Sequence, residues 1–392
     1  MSDARSRSHD DAPIDEADVL AGLDPLGFAE AWRKGAEALA ANPEGVAEAW
    51  QRYALDLAKA QAAAVSRALG EEGEGPVAPD RKDRRFRDPG WEENPYLFAL
   101  LQNYLLSGRL VDDVVDAADV DEATEQRLGF MADAVMDALA PSNSPLVNPA
   151  VTKKAIETGG QSLLRGLQNF MDDMANNDGM PRQVPADAFV VGEDLAVSEG
   201  KVVFRTELME LIQYSPRTET VYETPLLLSP PWINKYYIMD LAPGRSFVEW
   251  AVDHGHTVFA ISYRNPGPED RDVSLGDYKL GGPLAAIDAV CQITGADKVN
   301  LVGLCLGGTV TTALLAYMAA KDDDRIASAT LLNTLVDFTM PGRLGAFTDR
   351  ASVEGVESRR NERGDLEASE LMGIFTCLRS IDLVWNYAVY HW

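Results

Sequence analysis

Residues 299–308 read Val-Asn-Leu-Val-Gly-Leu-Cys-Leu-Gly-Gly, and no other stretch constrains the fold of this chain as tightly. An apolar run with two valines leads into Gly303-Leu304-Cys305-Leu306-Gly307, and a run of small residues, 308–320, leads out. The pattern is a buried strand, a sharp turn and a helix, with a thiol at the apex. A side chain held on so tight a turn needs strained backbone, and the glycines two positions away on either side remove the side chains that would collide with strand or helix. Free cysteine packs well in a core. A core cysteine does not need two flanking glycines at a strand-to-helix switch, so Cys305 reads as a nucleophile lifted to the sheet's C-terminal edge.

The rest of the composition narrows the class. The 392 residues suffice for two domains and a large core. A net charge of −27, from 62 acidic against 35 basic residues, disfavours binding to nucleic acid, whose phosphates would meet like charge. Three cysteines without a C-x-x-C pair (Cys291, Cys305 and Cys377) argue against a disulfide framework and against a metal site. The polar N-terminus has no apolar signal region, and no run of about 18 apolar residues predicts a membrane span. The expected compartment is the cytoplasm.

Along the chain, residues 1–22 read as a disordered acidic tail and 23–186 as a mostly helical domain. In that domain Phe28, Trp32 and Leu39 recur at helical spacing, as do Val46, Trp50, Tyr53 and Leu57, and Pro43 separates the two runs. Residues 70–79 form a Gly/Pro/Glu-rich linker. The basic cluster 81–87 is either a solvated turn paired with local acids or a contact for an anionic ligand. Helical patterns resume over 96–110, 121–139 and 153–174, with a loop at 141–145. Short β-branched runs then appear at 202–204, 209–213, 225–228, 258–262, 299–302 and 329–332, with helical segments at 283–293 and 308–318. Strands alternating with helices predict an α/β fold. Its mostly parallel sheet, over 187–340, is of the α/β-hydrolase type, and it is incomplete. Residues 341–392 read as the start of a lid or cap insertion over that sheet.

A cysteine nucleophile needs a base, an acid to orient the base, and an oxyanion hole. The backbone N–H of Leu306 is the first expected hole donor. The second comes from the loop 229–235, where Pro230 and Pro231 leave Trp232 and Ile233 as the first free amides, and Ile233 is the one chosen. The base is harder to find. Of the four histidines, His9 lies in the tail, and His254 and His256 precede the nucleophile, against the chain order of such folds. His391 sits next to the end of an apolar segment with nothing following to hold it. Asp337 follows a predicted strand, where a loop cap is its expected role. Cys291 and Cys377 are expected in the core, and Trp232, Trp250 and Trp385 are expected to pack rather than touch substrate.

At this point the sequence resembles the class I poly(3-hydroxyalkanoate) synthases. The resemblance is carried by 84–86 with Asp88, Pro89 and Trp91; by 143–149; by 207–214; by 230–235; by 255–259; by 264–266; by the cysteine box 303–308; and by 382–387. It implies polymerisation of (R)-3-hydroxyacyl-CoA through an acyl group on Cys305, with CoA released. It implies no cofactor beyond the coenzyme A thioester substrate. The expected partners are that thioester and the growing polyester chain, at the surface of cytoplasmic granules, with a homodimer as the full-length state. The family's acid and base match no residue here and are expected beyond residue 392, so the chain reads as C-terminally truncated and its activity alone is in question. Two other readings stay open: a cysteine-box thioesterase or esterase, and a non-catalytic homologue that binds granules or a partner.

Overall fold

A computed structural model of the protein describes residues 27–185, 187–348, 350–363, 372–373, 375–376 and 378–392; the acidic tail, with His9, and Cys377 lie outside the described residues. The chain divides between 183 and 184, where the sequence pattern predicts a boundary at 186/187. One unit is helical. The other, Val184–Met340, carries the sheet.

In the helical unit α1 (Phe28–Ala41) and α2 (Pro43–Ala68) meet at Asn42, whose side chain accepts from the Gly45 amide at 3.1 Å. The same device recurs. Asn94 caps α3 (Pro95–Ala117), Asp121 caps α4 (Glu122–Ala138) and Asn148 caps α5 (Pro149–Glu157). An Asn followed by Pro satisfies an orphan amide and presets the first helical φ. The sequence pattern predicts one helix over 153–174. The structure breaks it at Gly159 and Gly160, both at positive φ (59° and 84°), and starts α6 at Gln161–Asn176. The helical spacing of α1 and α2 is as predicted, but the face turned inward is not the aromatic one. Ala31, Gly35, Ala49, Ala60 and Ala63 are buried, whereas Trp32 is 66% and Trp50 55% exposed. Small residues let helices approach closely, and the bulky rings are left outside. The unit's apolar centre is Phe86, Trp91 and Leu101.

The sheet runs in the order β1-β2-β4-β3-β5-β6. Its strands are β1 (Gly200–Arg205), β2 (Met209–Tyr214), β3 (Leu226–Ser229), β4 (Val258–Tyr263), β5 (Val299–Leu304) and β6 (Ile326–Leu332). β4, β3, β5 and β6 are parallel, and β2 joins β4 antiparallel. Helices α7 (Phe247–Asp253), α8 (Leu275–Lys279), α9 (Ala285–Thr294) and α10 (Leu306–Ala319) fill the crossovers, and a π turn (Leu280–Leu284) joins α8 to α9. Alternation along each strand sorts the core into two layers. Leu227, Phe259, Ile261 and Leu301 pack with Ile287, Val290 and Leu314 on one face; Leu226, Leu228, Val258 and Ala260 pack with Val248 and Val252 on the other. β6 closes the row and is exposed along most of its length.

Residues 341–392, predicted from sequence as a cover over the sheet, are tied to the helical unit. Ser380 donates to Asp137 at 2.6 Å, Arg343 pairs with Asp133, and the Phe347 ring lies 5.0 Å from Phe130 and 6.0 Å from Phe28. Helix α4 therefore supplies both the carboxylates and the ring that hold the segment. This segment contains α11 (Arg350–Arg363) and α12 (Asn386–His391).

Candidate active site

Cys305 stands between β5 and α10 with φ 53° and ψ −123°, a conformation that L residues avoid, and its side chain is exposed. Such backbone is the conformation that an elbow between strand and helix imposes on its apex residue. The surrounding packing enforces it. A Cβ on Gly307 would lie 2.0 Å from the Ser229 carbonyl oxygen and 2.7 Å from Pro230 backbone, and one on Gly303 would lie 2.5 Å from the Gly308 Cα. Both predicted elbow glycines are thus fixed by contact. A third was missed in the sequence: a Cβ on Gly308 would meet the Thr334 hydroxyl at 2.0 Å. Its signal was the doubled glycine after the cysteine, which lets α10 settle against the chain leaving β6.

The helix start supplies donors. The Cys305 carbonyl accepts from Gly308 and Thr309 at 2.9 and 3.1 Å. Leu306 is the first helical residue, so its N–H has no intrahelical acceptor and lies beside the thiol at the positive end of the helix dipole. Ile233 lies in the turn after β3, the strand next to β5; within that turn the Asn234 amide donates to the Pro231 carbonyl at 3.2 Å. Trp232 packs its ring 5.2 Å from Tyr278.

No described histidine of the α/β unit shares that edge. His254 and His256 precede β4, at the N-terminal end of the parallel strands, and Cys305 follows β5 at the opposite end. One six-residue strand separates the two edges by about 20 Å. His254 Nδ1 donates to the Trp250 carbonyl at 2.7 Å, and its ring stacks on Trp250 at 4.4 Å. Trp250 is therefore a surface stacking partner rather than core. His391, for which the sequence offers no support, is held in the helical unit: its Nε2 lies 3.2 Å from buried Asp173, which also accepts from Trp392 Nε1 at 2.9 Å. Asp337 caps the Thr339 amide at 2.9 Å, which holds its carboxyl below the ordinary value.

The second described thiol, Cys291 on α9, is half-buried against the core, and burial pushes it above the usual thiol range. The basic cluster is internally satisfied at Arg85, which pairs with Asp83 at 2.9 Å and Asp137 at 3.4 Å. Among the described residues no helix is long and apolar enough to cross a membrane.

Sequence comparison places these features in a known context. Residues 82–251 match the family described as poly-beta-hydroxybutyrate polymerase (PhaC) N-terminus, and residues 241–392 match the alpha/beta hydrolase fold. The poly(3-hydroxyalkanoate) polymerase of Methylorubrum extorquens is 39% identical over 92% of this chain and 59% of its own length. Poly(3-hydroxyalkanoate) polymerase 1 of Ectopseudomonas oleovorans is 41% identical over 81% of this chain and 56% of its own. The polymerase subunit PhaC of Cupriavidus necator is 41% identical over 84% and 55%. The chain spans little more than half the length of these relatives. Two overlapping family matches, about 40% identity to polymerases over most of the chain and an α/β-hydrolase sheet agree: the chain belongs to the poly(3-hydroxyalkanoate) polymerase family.

Proposed function

We propose that Cys305 accepts the acyl group in an acyltransferase that builds polyester from (R)-3-hydroxyacyl-CoA. The observation that carries this reading is the exposed thiol on strained backbone between β5 and α10. The Cys305 thiolate attacks the thioester carbon, the oxyanion meets the amides of Leu306 and Ile233, and the C–S bond to CoA breaks with CoA leaving as thiolate. A 3-hydroxyl of a second unit then attacks the acyl-cysteine carbonyl, its proton ends on the released CoA thiolate, and the C–S bond to Cys305 breaks to return the Cys305 thiolate as the oxygen ester forms. Exchanging one thioester for another is near energy balance, so the acyl group stays activated until an alcohol takes it. The name of the relatives supports the product class. On the same reading the partners are the hydroxyacyl thioester and the growing chain, at a polyester surface, with the protein as a homodimer. The reading assigns the general base to none of the described histidines.

The test is incubation of the 392-residue protein with (R)-3-hydroxybutyryl-CoA and peptide mass spectrometry. The expected result is an acyl group on Cys305 and none on Cys291, lost in C305S. Equal labelling of both thiols, or none on Cys305, sinks the proposal. Release of free 3-hydroxy acid in place of oligomers would assign the site to hydrolysis.

A further inference from the structure

A cavity of about 480 Å³ opens at the same edge of the sheet as Cys305; Leu208, Val273, Leu280 and Gly281 form its apolar wall, and Thr206 and the carboxylates of Glu207 and Asp277 form the rest. Its position follows from the strand register. Leu208 precedes β2, Met209 pairs with Tyr263 at the C-terminal end of β4, and β4 lies parallel to β3 and β3 to β5. Three interstrand spacings, about 14 Å, separate the start of β2 from the end of β5. That distance is beyond a four-carbon hydroxyacyl group and suited to a medium-length alkyl chain.

Between the two stands Tyr278. It is buried, with its ring 5.2 Å from Trp232 on the nucleophile side and 5.5 Å from Tyr263 at the end of β4. Its chain neighbours Asp277 and Leu280 line the cavity. The backbone behind it is set in place. The π turn carries a non-helical Gly282 (φ −99°, ψ −105°), where a Cβ would meet the Tyr263 hydroxyl at 2.7 Å, and Thr206 donates to the Gly281 carbonyl at 3.2 Å. An inserted turn of this kind re-aims side chains and is frequent at functional sites. Here the turn begins two residues after Tyr278, with Leu280, which lines the cavity.

The geometry points to Tyr278 as the residue that sets how long an alkyl side chain the site accepts, with the cavity behind it as the pocket for the far end of that chain. The inference rests on the polymerase reading and adds the specificity element to it. The ring closes the route between Trp232 and Tyr263. Removing it joins the nucleophile edge to the space lined by Leu208, Val273 and Leu280, where apolar carbons of a longer chain leave water.

The experiment uses C305S protein, so that binding is read without chemistry, and titration calorimetry with 3-hydroxybutyryl-CoA and 3-hydroxyoctanoyl-CoA. Y278A is expected to raise the long-over-short affinity ratio about tenfold, the scale set by a few newly buried methylenes. Y278F is expected to leave the ratio unchanged. Refilling the cavity in Y278A/L208W is expected to return the ratio to its starting value. A ratio that Y278A leaves unaltered overturns the inference even where both thioesters bind. A shifted ratio in protein whose Cys305 is never acylated keeps the pocket and overturns the polymerase reading. Failure of either thioester to bind overturns both.

Discussion

The two units of this chain bury different things. The α/β unit hides large aliphatic side chains on both faces of its sheet: Leu227, Ile261 and Leu301 on one and Leu228, Val258 and Val248 on the other are all essentially sealed from water. The helical unit buries alanines and glycines along α1 and α2 and gathers few large side chains at Phe86, Trp91 and Leu101. It leaves much of its apolar surface outside. On α6, Leu164 is 64% and Met171 63% exposed, while the side turned inward carries Gly166 and Asp173. Stability in the first unit follows from removed apolar area. In the second it depends more on caps, close helix approach and polar ties to the C-terminal segment. A rigid sheet under strained backbone is what an elbow nucleophile needs, because the strain at Cys305 must be held by its neighbours.

The sharpest way to break this contrast is G307A. The new methyl would meet backbone at 2.0 Å, and backbone cannot rotate aside. The expected cost is about 4 kcal/mol, with loss of selective Cys305 alkylation, read by urea unfolding and by thiol labelling against Cys291. Next comes the paired truncation of L301A and L167A. The first leaves a cavity in the sheet core and is expected to cost about 3 kcal/mol. The second trims an exposed side chain on α6 and is expected to stay within about 0.5 kcal/mol. Equal effects would show that α6 is as well packed as β5.

The smallest effect concerns acid stability of the helical unit. The Lys153 ammonium, 2.8 Å from Asp88, holds that carboxyl below its ordinary value, against a small desolvation cost and with help from the Gly90 amide. A lowered folded value means the group stabilises above the unfolded pKa of about 3.9 and loses that contribution as pH falls through the folded one. The lysine end of the pair is exposed to solvent, so its worth is at most about 0.5 kcal/mol. K153A is expected to narrow the stability difference between pH 6 and pH 3 by that amount, measured by thermal unfolding. A K153A protein with the same pH dependence as the parent would remove the tie from the account.

Legibility differed between the units for the same physical reason. Each strand of the sheet was marked by a β-branched or aliphatic run, and the elbow was marked by glycines whose necessity is local. The helical spacing of α1 and α2 was legible too, but not which face turns inward: Trp32 and Trp50 look like core until the close approach of alanines is seen. The break at Gly159 and Gly160 was missed because the apolar spacing continues across it, although a glycine pair costs a helix about 2 kcal/mol and here takes positive φ at both residues. Tyr278 carried no motif at all, since its ring neighbours Trp232 and Tyr263 are brought to it by the fold.

By itself the sequence determined the order of elements, the mostly parallel sheet and the sharp turn at Cys305, because these rest on short-range sterics and on side-chain periodicity. Tertiary structure alone decided that His254 and His256 stand at the opposite edge from the thiol, that His391 is taken by Asp173, that residues after 341 join the helical unit, and that the Tyr278 ring meets both Trp232 and Tyr263. Those facts depend on where distant segments meet, and partners of that kind leave no spacing in the chain to be read.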